Sequence, residues 1–141
     1  MSTTASKVQG DVYGFLRGSK LAKGLSGEVY RRGYRPRDSK LEDAEVIFTT
    51  GLPGEIETGV VTINIYCPDI DPYDNGVLVE NGQRVSEIEE AAAAWVKTLV
   101  ASRSNYLFTL KETIHSVADP QINQHFVVVK LSYRYYEEEN N

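Results

Sequence analysis

GVVTINIYCP, residues 59–68, alternates between apolar and mixed side chains along its whole length. The apolar set consists of Val61, Ile63, Ile65 and Cys67, and the mixed set contains Val60, Thr62, Asn64 and Tyr66. Alternation with period 2 among β-branched and aromatic residues predicts a β-strand with one buried face. A second face of moderate polarity is typical of antiparallel sheets, which leave one side open to water or to a partner. We therefore expect this strand at the centre of an antiparallel sheet.

The rest of the chain predicts an α+β fold, with a mainly antiparallel, curved sheet of about four strands covered by one long helix. The other predicted strands are residues 44–50, 106–114 and 125–136, each with apolar residues at alternate positions. A glycine- and proline-containing turn joins residues 44–50 to the central strand as a hairpin. Asp119 and Pro120 lie in the turn of a second hairpin.

The long helix is expected at residues 86–102, where Ser86 and Glu89 have the spacing of a capping box. Its apolar stripe, which would lie on the apolar set of the central strand, consists of Val85, Ile88, Ala92, Trp95, Val96 and Leu99.

A short N-terminal helix is expected at about residues 12–22, with Asp11 as its N-cap and Gly24 beyond its end. Residues 1–10 are small and polar, which predicts a flexible arm, and residues 137–141 predict a frayed acidic tail. The domain prediction is therefore a single α+β domain over residues 11–136.

Composition argues against several classes of protein. The 141 residues include 15 basic and 20 acidic side chains, and a net charge of −5 disfavours a dedicated nucleic-acid binder. The single cysteine, Cys67, excludes a disulfide framework and is expected to be a small buried hydrophobe. No stretch has the length of a membrane span or the apolar run of a signal peptide. We expect a soluble protein that works where thiols stay reduced, without membrane contact.

Two groups of polar residues raise the question of a metal site. Asp69, Asp71 and Glu80 match the first, third and twelfth places of an EF-hand loop, but Asp74 occupies the sixth place, where that loop needs glycine. His115 and His125 are equidistant from Pro120, so a hairpin would bring them opposite each other beside Asp119 as candidate zinc ligands. A hairpin tip lacks the surrounding contacts that hold a metal site, and we expect ordinary polar residues in both places.

Catalytic motifs are missing from the sequence. No glycine-rich phosphate loop follows a strand, no serine elbow occurs, and no helix carries paired metal ligands. We therefore expect no enzyme activity, no catalytic residue, no cofactor and no metal.

The segment 25–39 is unusually rich in arginine, with Tyr30 and Tyr34 between the cations, and Gly33 and Pro36 disfavour a long regular element. Three interpretations stay open: a loop of solvated charges, an arm that contacts a neighbouring subunit, and a DNA contact, which the overall acidity disfavours. The cations are Arg31, Arg32, Arg35 and Arg37 within the segment and Lys40 directly after it.

The phrases LSGEVYRRGYRPRDSKLEDAEVIF (residues 25–48) and GEIETGVVTINIYCPDID (residues 54–71) resemble those of small tail-completion, or tail-terminator, proteins of long-tailed bacteriophages and prophages. The resemblance covers most of residues 11–136. It implies a curved sheet flanked by helices and a hexameric ring that caps the tail tube, stops its polymerisation and joins the head. It also implies a tail-tube protein and a head-completion or connector protein as partners. The implied location is the head–tail junction of the virion, after assembly in the bacterial cytoplasm.

Closure of a ring by head-to-tail contacts requires two different patches on each subunit. The arginine segment is one candidate patch, the acidic loop with the start of the long helix is another, and the mixed sheet face is a third. The predicted interface residues are Arg31, Arg32, Arg35, Arg37, Asp69, Asp71, Asp74, Glu87, Glu90, Thr62, Asn64 and Tyr66.

We expect the arginines to serve assembly rather than folding, because exposed charges contribute only ~0–1 kcal/mol each to stability. The alternatives are a head–tail connector or minor capsid component and, from a different class, a small ligand-binding or enzymatic α+β domain.

Overall fold

The computed structural model describes residues 3–102 and 104–136. The fold is α+β, as predicted, but the sheet is mixed and has six strands rather than about four antiparallel ones. The elements in chain order are α1 (Ala5–Arg17), α2 (Lys20–Lys23), β1 (Val29–Arg31), β2 (Ala44–Leu52), β3 (Glu57–Pro68), α3 (Gly82–Ala101), β4 (Tyr106–Leu110), β5 (His115–Asp119) and β6 (Gln124–Tyr135).

The sheet has the strand order β1-β2-β3-β6-β4, and β5 also pairs with β6. β1 runs parallel to β2, whereas the other pairs are antiparallel. β3 pairs with β6 along its whole length, from Glu57 opposite Tyr135 to Pro68 opposite Gln124. The predicted central position of this strand is confirmed.

The two additional strands come from segments that the sequence assigned differently. The predicted strand 106–114 is wrong in its second half, because the chain forms β4 against residues 131–135 and then β5 against residues 124–128. One edge of the 12-residue β6 is thus shared by two strands of 5 residues each. β1 has only 3 residues, which is too short for an alternating pattern to show.

All helices pack on one face of the sheet, which we call the inner face. The predicted apolar set of β3 is buried there together with the β6 residues opposite it. α1 lies on β1 and β2, and α3 lies across β3, β6 and β4. All six residues of the predicted α3 stripe are buried in this core, so the predicted helical cover is confirmed.

α1 begins earlier than predicted. Thr4 is its N-cap, and the Thr4 side chain accepts a hydrogen bond from the Lys7 backbone amide. Val8 is fully buried because it stands four residues before Val12 and extends the same helical stripe. The prediction of a flexible arm is therefore wrong for residues 5–10, and the prediction that Asp11 is the N-cap is wrong as well. α1 is capped at its C-terminus by Gly18, and α2, which follows, is capped by Gly24.

α3 also begins about one turn earlier than predicted. Its N-cap is Asn81, whose side-chain oxygen accepts a hydrogen bond of 3.3 Å from the Arg84 amide. Ser86 and Glu89 lie inside the helix, so the predicted capping box is wrong. The predicted acidic tail, residues 137–141, lies outside the described residues.

An ion pair ties the start of α3 to the segment before β2. Arg84 Nε lies 2.7 Å from Glu42 Oε2, and Arg84 Nη2 lies 2.8 Å from Glu42 Oε1. The same Nη2 donates to the Gly24 carbonyl at 2.7 Å, so α2 is joined to this pair as well. The Arg84 guanidinium lowers the pKa of the Glu42 carboxyl from its ordinary value.

Replacement of Trp95 by alanine should destabilise the protein by ~3–5 kcal/mol, because it removes a large buried side chain from the core. Urea denaturation with circular dichroism measures the loss. Lys97→Ala, an exposed change on the same helix, is the matched control and should stay within ~0.5 kcal/mol of the parent. Water-like emission from this single tryptophan in the native parent would contradict the packing.

Replacement of Glu42 by glutamine should flatten the acid side of the stability profile. The folded-state pKa of Glu42 is lowered, so the pair stabilises the parent above the unfolded-state pKa of about 4.3. That stabilisation is lost as the pH falls through the folded-state pKa. Thermal melts from pH 7 to pH 2 measure this, with Glu55→Gln, an exposed loop change, as control. Parent and Glu42→Gln curves that stay parallel below pH 4.3 would refute the assignment.

Candidate interaction surfaces

The four predicted interface arginines do not form one patch. The Arg31 guanidinium lies 4.8 Å from the centre of the Tyr13 ring of α1, on the helical side of the sheet. Arg35 turns toward the opposite face, which we call the outer face, while Arg32 and Arg37 are exposed. Arg31, Arg32 and Arg37 therefore present exposed charges of the kind that the sequence predicted, whereas Arg35 does not.

The side chain of Arg35 is only 7% exposed. Its Nε lies 3.0 Å from Oδ2 of the fully buried Asp43, and its Nη2 donates to Gln124 Oε1 at 2.9 Å. The same Nη2 donates to the carbonyl of Leu41 at 3.3 Å. The guanidinium carbon lies 3.8 Å from the centre of the Tyr66 ring, a cation–π contact at short range. Arg35 is therefore part of the fold and not the exposed charge that the sequence predicted, while its role in assembly stays a prediction.

Asp43, the partner of Arg35, makes further hydrogen bonds in this network. Its carboxylate also accepts hydrogen bonds from the Ser39 hydroxyl and from the Glu28 amide, the latter at 2.9 Å. A Cβ at Gly27 would collide with this carboxylate, so the glycine makes room for it. We call the contacts of Arg35 with Asp43, Gln124 and Tyr66 the Arg35 clamp.

The outer face carries the predicted sheet residues. Thr62 is buried, and its hydroxyl lies 2.6 Å from the Thr49 hydroxyl. The Tyr66 ring contacts the Arg35 guanidinium and packs against the Phe126 ring. The centres of the two rings are 5.4 Å apart. Burial raises the pKa of the Tyr66 phenol. Of the three predicted residues, Asn64 keeps a partly exposed position without such a contact.

The acidic loop before α3 uses several of its carboxylates internally. Asp69 Oδ1 lies 2.7 Å from His125 Nδ1, and Glu80 Oε2 lies 3.6 Å from His125 Nε2. The Asp71 carboxylate accepts hydrogen bonds from backbone amides of its own loop at 3.0 and 2.8 Å. Asp74 is exposed and is the free acid of this loop.

The two histidines do not face each other. His115 stands opposite Val128 and His125 stands opposite Ala118, because the turn of the hairpin is centred beyond Pro120. Within residues 3–102 and 104–136, no three potential ligands meet where a metal ion would bind. Burial raises the pKa of the Cys67 thiol to about 11, which agrees with its predicted role as a buried hydrophobe.

An apolar groove, which the sequence analysis missed, lies between α1–α2 and α3. Its volume is about 810 Å³. Ala91 and Ala94 leave its α3 wall open, while Glu87 and Glu90 bring negative charge to the same helix. The run Ala91–Ala94, with exposed members on a helix, was the sequence signal that could have indicated it. The apolar residues of the groove are Phe15, Leu21, Leu25, Ile88, Trp95 and Leu99.

Comparisons with known proteins give no assignment. No protein-family model matches the chain, and a search of curated proteins finds no match. None of the helices in the described part of the chain is long and apolar enough to cross a membrane. The resemblance to tail-terminator proteins stays a prediction.

Replacement of Arg35 by alanine should cost ~3–5 kcal/mol of stability, because it leaves the Asp43 carboxylate buried without its cationic partner. Chemical denaturation measures the loss, and the exposed Arg37→Ala is the matched control, expected within ~0.5 kcal/mol. In Arg35→Ala/Asp43→Ala, the loss should be smaller than the sum of the single losses. Equal effects of Arg35→Ala and Arg37→Ala would contradict the clamp.

Proposed function

We propose that this protein is a structural virion-assembly protein, a tail terminator or tail-completion protein of a long-tailed bacteriophage or prophage. In this role it forms a ring, a hexamer by resemblance, that caps the tail tube and provides the surface for head joining. Its partners are further copies of itself, the tail-tube protein and the head-completion or connector protein. Its place is the head–tail junction, after assembly in the host cytoplasm.

The observation that carries this proposal is the one-sided cover of the sheet. α1 and α3 share one core on the inner face, and no helix among the described residues packs on the outer face. Apolar side chains stay exposed on that side, including Leu107 and Val117 and, at the tip of the β2–β3 hairpin, Leu52, which is 69% exposed. Leu52 and Leu107 line the same depression, and contiguous exposed apolar surface marks contacts between proteins, which supports an assembly role.

Exposed charges of opposite sign on two different surfaces of the subunit support self-association. Arg32 and Arg37 are exposed beyond β1, whereas Asp74, Glu87 and Glu90 are exposed at the loop before α3 and on α3 itself. Opposite charges on different surfaces favour a heterologous contact between identical subunits, and such contacts form a ring where the rotation closes. Nothing in this arrangement requires nucleic acid, and direct DNA binding is not part of the proposal.

A ligand-binding domain is the second candidate function. The groove between α1–α2 and α3, at about 810 Å³, lies within the roughly 300–1,000 Å³ of small-molecule pockets. A monomer at all concentrations would favour this class. A head–tail connector or minor capsid component, the nearer alternative, would assemble but bind heads rather than tail tubes.

The test combines size-exclusion chromatography with light scattering, electron microscopy and a capping assay on the tail-tube protein of the same phage genome. We expect concentration-dependent oligomers, ring-shaped particles and tubes that stop growing when the protein is added. Tubes alone and tubes with bovine serum albumin are the controls. A monomer at every concentration with unchanged tube growth would refute the proposal, and rings that bind only heads would favour the connector.

A further inference from the structure

Tyr34 is a large aromatic side chain in an unusually open position. It is 75% exposed and follows a tight turn in which its amide donates to the Arg31 carbonyl at 3.0 Å. Gly33, with φ of 85°, supplies the left-handed conformation that this turn needs. Exposed tyrosine and arginine side chains are enriched among the residues that dominate binding energy at protein interfaces.

The loop that carries Tyr34 is held by the next residue. Arg35 is clamped by Asp43, Gln124 and Tyr66, so the backbone beside Tyr34 is fixed to β3 and β6. A preorganised loop loses little conformational entropy on binding. An exposed aromatic residue next to such a clamped position is suited to docking in a preformed apolar groove.

Charge complementarity indicates which groove. Arg32 and Arg37 flank Tyr34 and are exposed, and the α3 side of the groove carries Glu87 and Glu90. Arginine pairs well with carboxylates at interfaces because its planar guanidinium makes two parallel hydrogen bonds.

The remaining charges of the two surfaces are also of opposite sign. Lys20 lies on the α2 side of the groove, and the exposed Asp38 follows Arg37 in the loop. Arg84, at one end of the groove, is paired with Glu42 at 2.7 Å and lies 3.9 Å from Glu87, whose side chain is still half exposed.

The clamped part of the loop and the groove of the same chain lie on opposite faces of the sheet. The clamp places the loop over the outer face, where Tyr66 and Gln124 lie, whereas the groove lies in the helical layer on the inner face. The sheet stands between them. A contact between these two surfaces therefore joins two copies of the chain.

We infer that Tyr34 of one copy inserts into the groove between α1–α2 and α3 of a second copy, with Arg32 and Arg37 facing Glu87 and Glu90. The small side chains of Ala91 and Ala94 leave space for the tyrosine ring, and Trp95 lines the same α3 side of the groove. The inference rests on the self-assembly that the proposed function requires, and the two surfaces involved are the loop around Tyr34 and the groove.

The first experiment compares two exposed tyrosines. Tyr34→Ala should weaken self-association by about 30-fold, the effect of losing a central interface residue worth about 2 kcal/mol, while thermal stability stays at the parent value. Tyr73→Ala removes a tyrosine that is 81% exposed in the acidic loop and should leave association unchanged. Sedimentation velocity over a concentration series measures both. Equal association of Tyr34→Ala and the parent would overturn the inference.

The second experiment exchanges charges. Arg37→Glu and Glu90→Arg should each weaken association when alone, whereas a 1:1 mixture of the two should assemble. In the mixture, the substituted loop of one variant meets the substituted groove of the other, and the unchanged loop meets the unchanged groove, so opposite charges face each other at every contact. A mixture that assembles no better than either variant alone would count against the pairing.

The third experiment traps the contact. Tyr34→Cys mixed with Ala94→Cys under oxidising conditions should give a disulfide-linked dimer faster than either variant alone, since the contact brings positions 34 and 94 together and the native Cys67 is buried. A parent that is monomeric at every concentration would refute the proposed function together with this contact. A parent that forms rings while Tyr34→Ala also assembles and no disulfide forms would overturn this contact alone.

Discussion

The unbroken antiparallel pairing of β3 with β6 is the constraint on which the rest of the structure depends. Because side chains alternate with a period of two, a slip of one residue would turn the apolar set of β3 to the outer face. The observed register instead puts Ile63 opposite Val129 and Ile65 opposite Val127, so both strands contribute to one apolar surface. That surface decides where α1 and α3 pack. The same register places Tyr66 and Gln124 at one end of the outer face, where Arg35 meets both.

Burial of Arg35 with Asp43 has a large desolvation cost, and such pairs are tolerated only where further hydrogen bonds satisfy both groups. Here every buried side-chain nitrogen and oxygen atom among the described residues has a partner. The clamp joins the loop after β1 to the neighbouring strands β3 and β6. These contacts hold the loop more rigidly than exposed ion pairs would. This clamp also fixes the backbone next to Tyr34, the residue before the arginine, whose side chain is exposed to solvent.

Much of this architecture could be predicted from the sequence, because long periodic segments carry the strongest signal. The central strand, the strands at residues 44–50 and 125–136 and the whole stripe of α3 follow from alternation or helical spacing alone. The β4–β5 division and the 3-residue β1 do not, since short strands are chosen by their neighbours rather than by their own pattern. The N-caps at Thr4 and Asn81 were missed because several polar residues near each helix start are competent to cap it.

The candidate surfaces were harder to predict for a related reason. Arg35 and Gln124 are 89 residues apart in sequence, and no local pattern distinguishes Arg35, which is buried, from Arg37, which is exposed. Asp69 likewise meets His125 through the fold rather than through spacing. Charge counts identify segments rich in ionisable side chains, but only tertiary contacts decide which of these charges remain exposed. Arg32, Arg37, Asp74, Glu87 and Glu90 keep their exposure and are free to contact another subunit.

The position of loop and groove on opposite faces has a consequence for how the protein assembles. Each contact between two copies leaves one loop and one groove unused at the ends of the growing chain, so association continues until the ends meet. The closing contact is intramolecular and profits from a high effective concentration, so individually weak contacts are sufficient for a stable ring. Closure also requires the same rotation at every contact. A mobile loop would allow a spread of angles and open chains, whereas the Arg35 clamp fixes the loop to the sheet and hence the angle between neighbouring subunits. On this argument the buried arginine contributes to assembly through rigidity, although it touches no other copy of the chain.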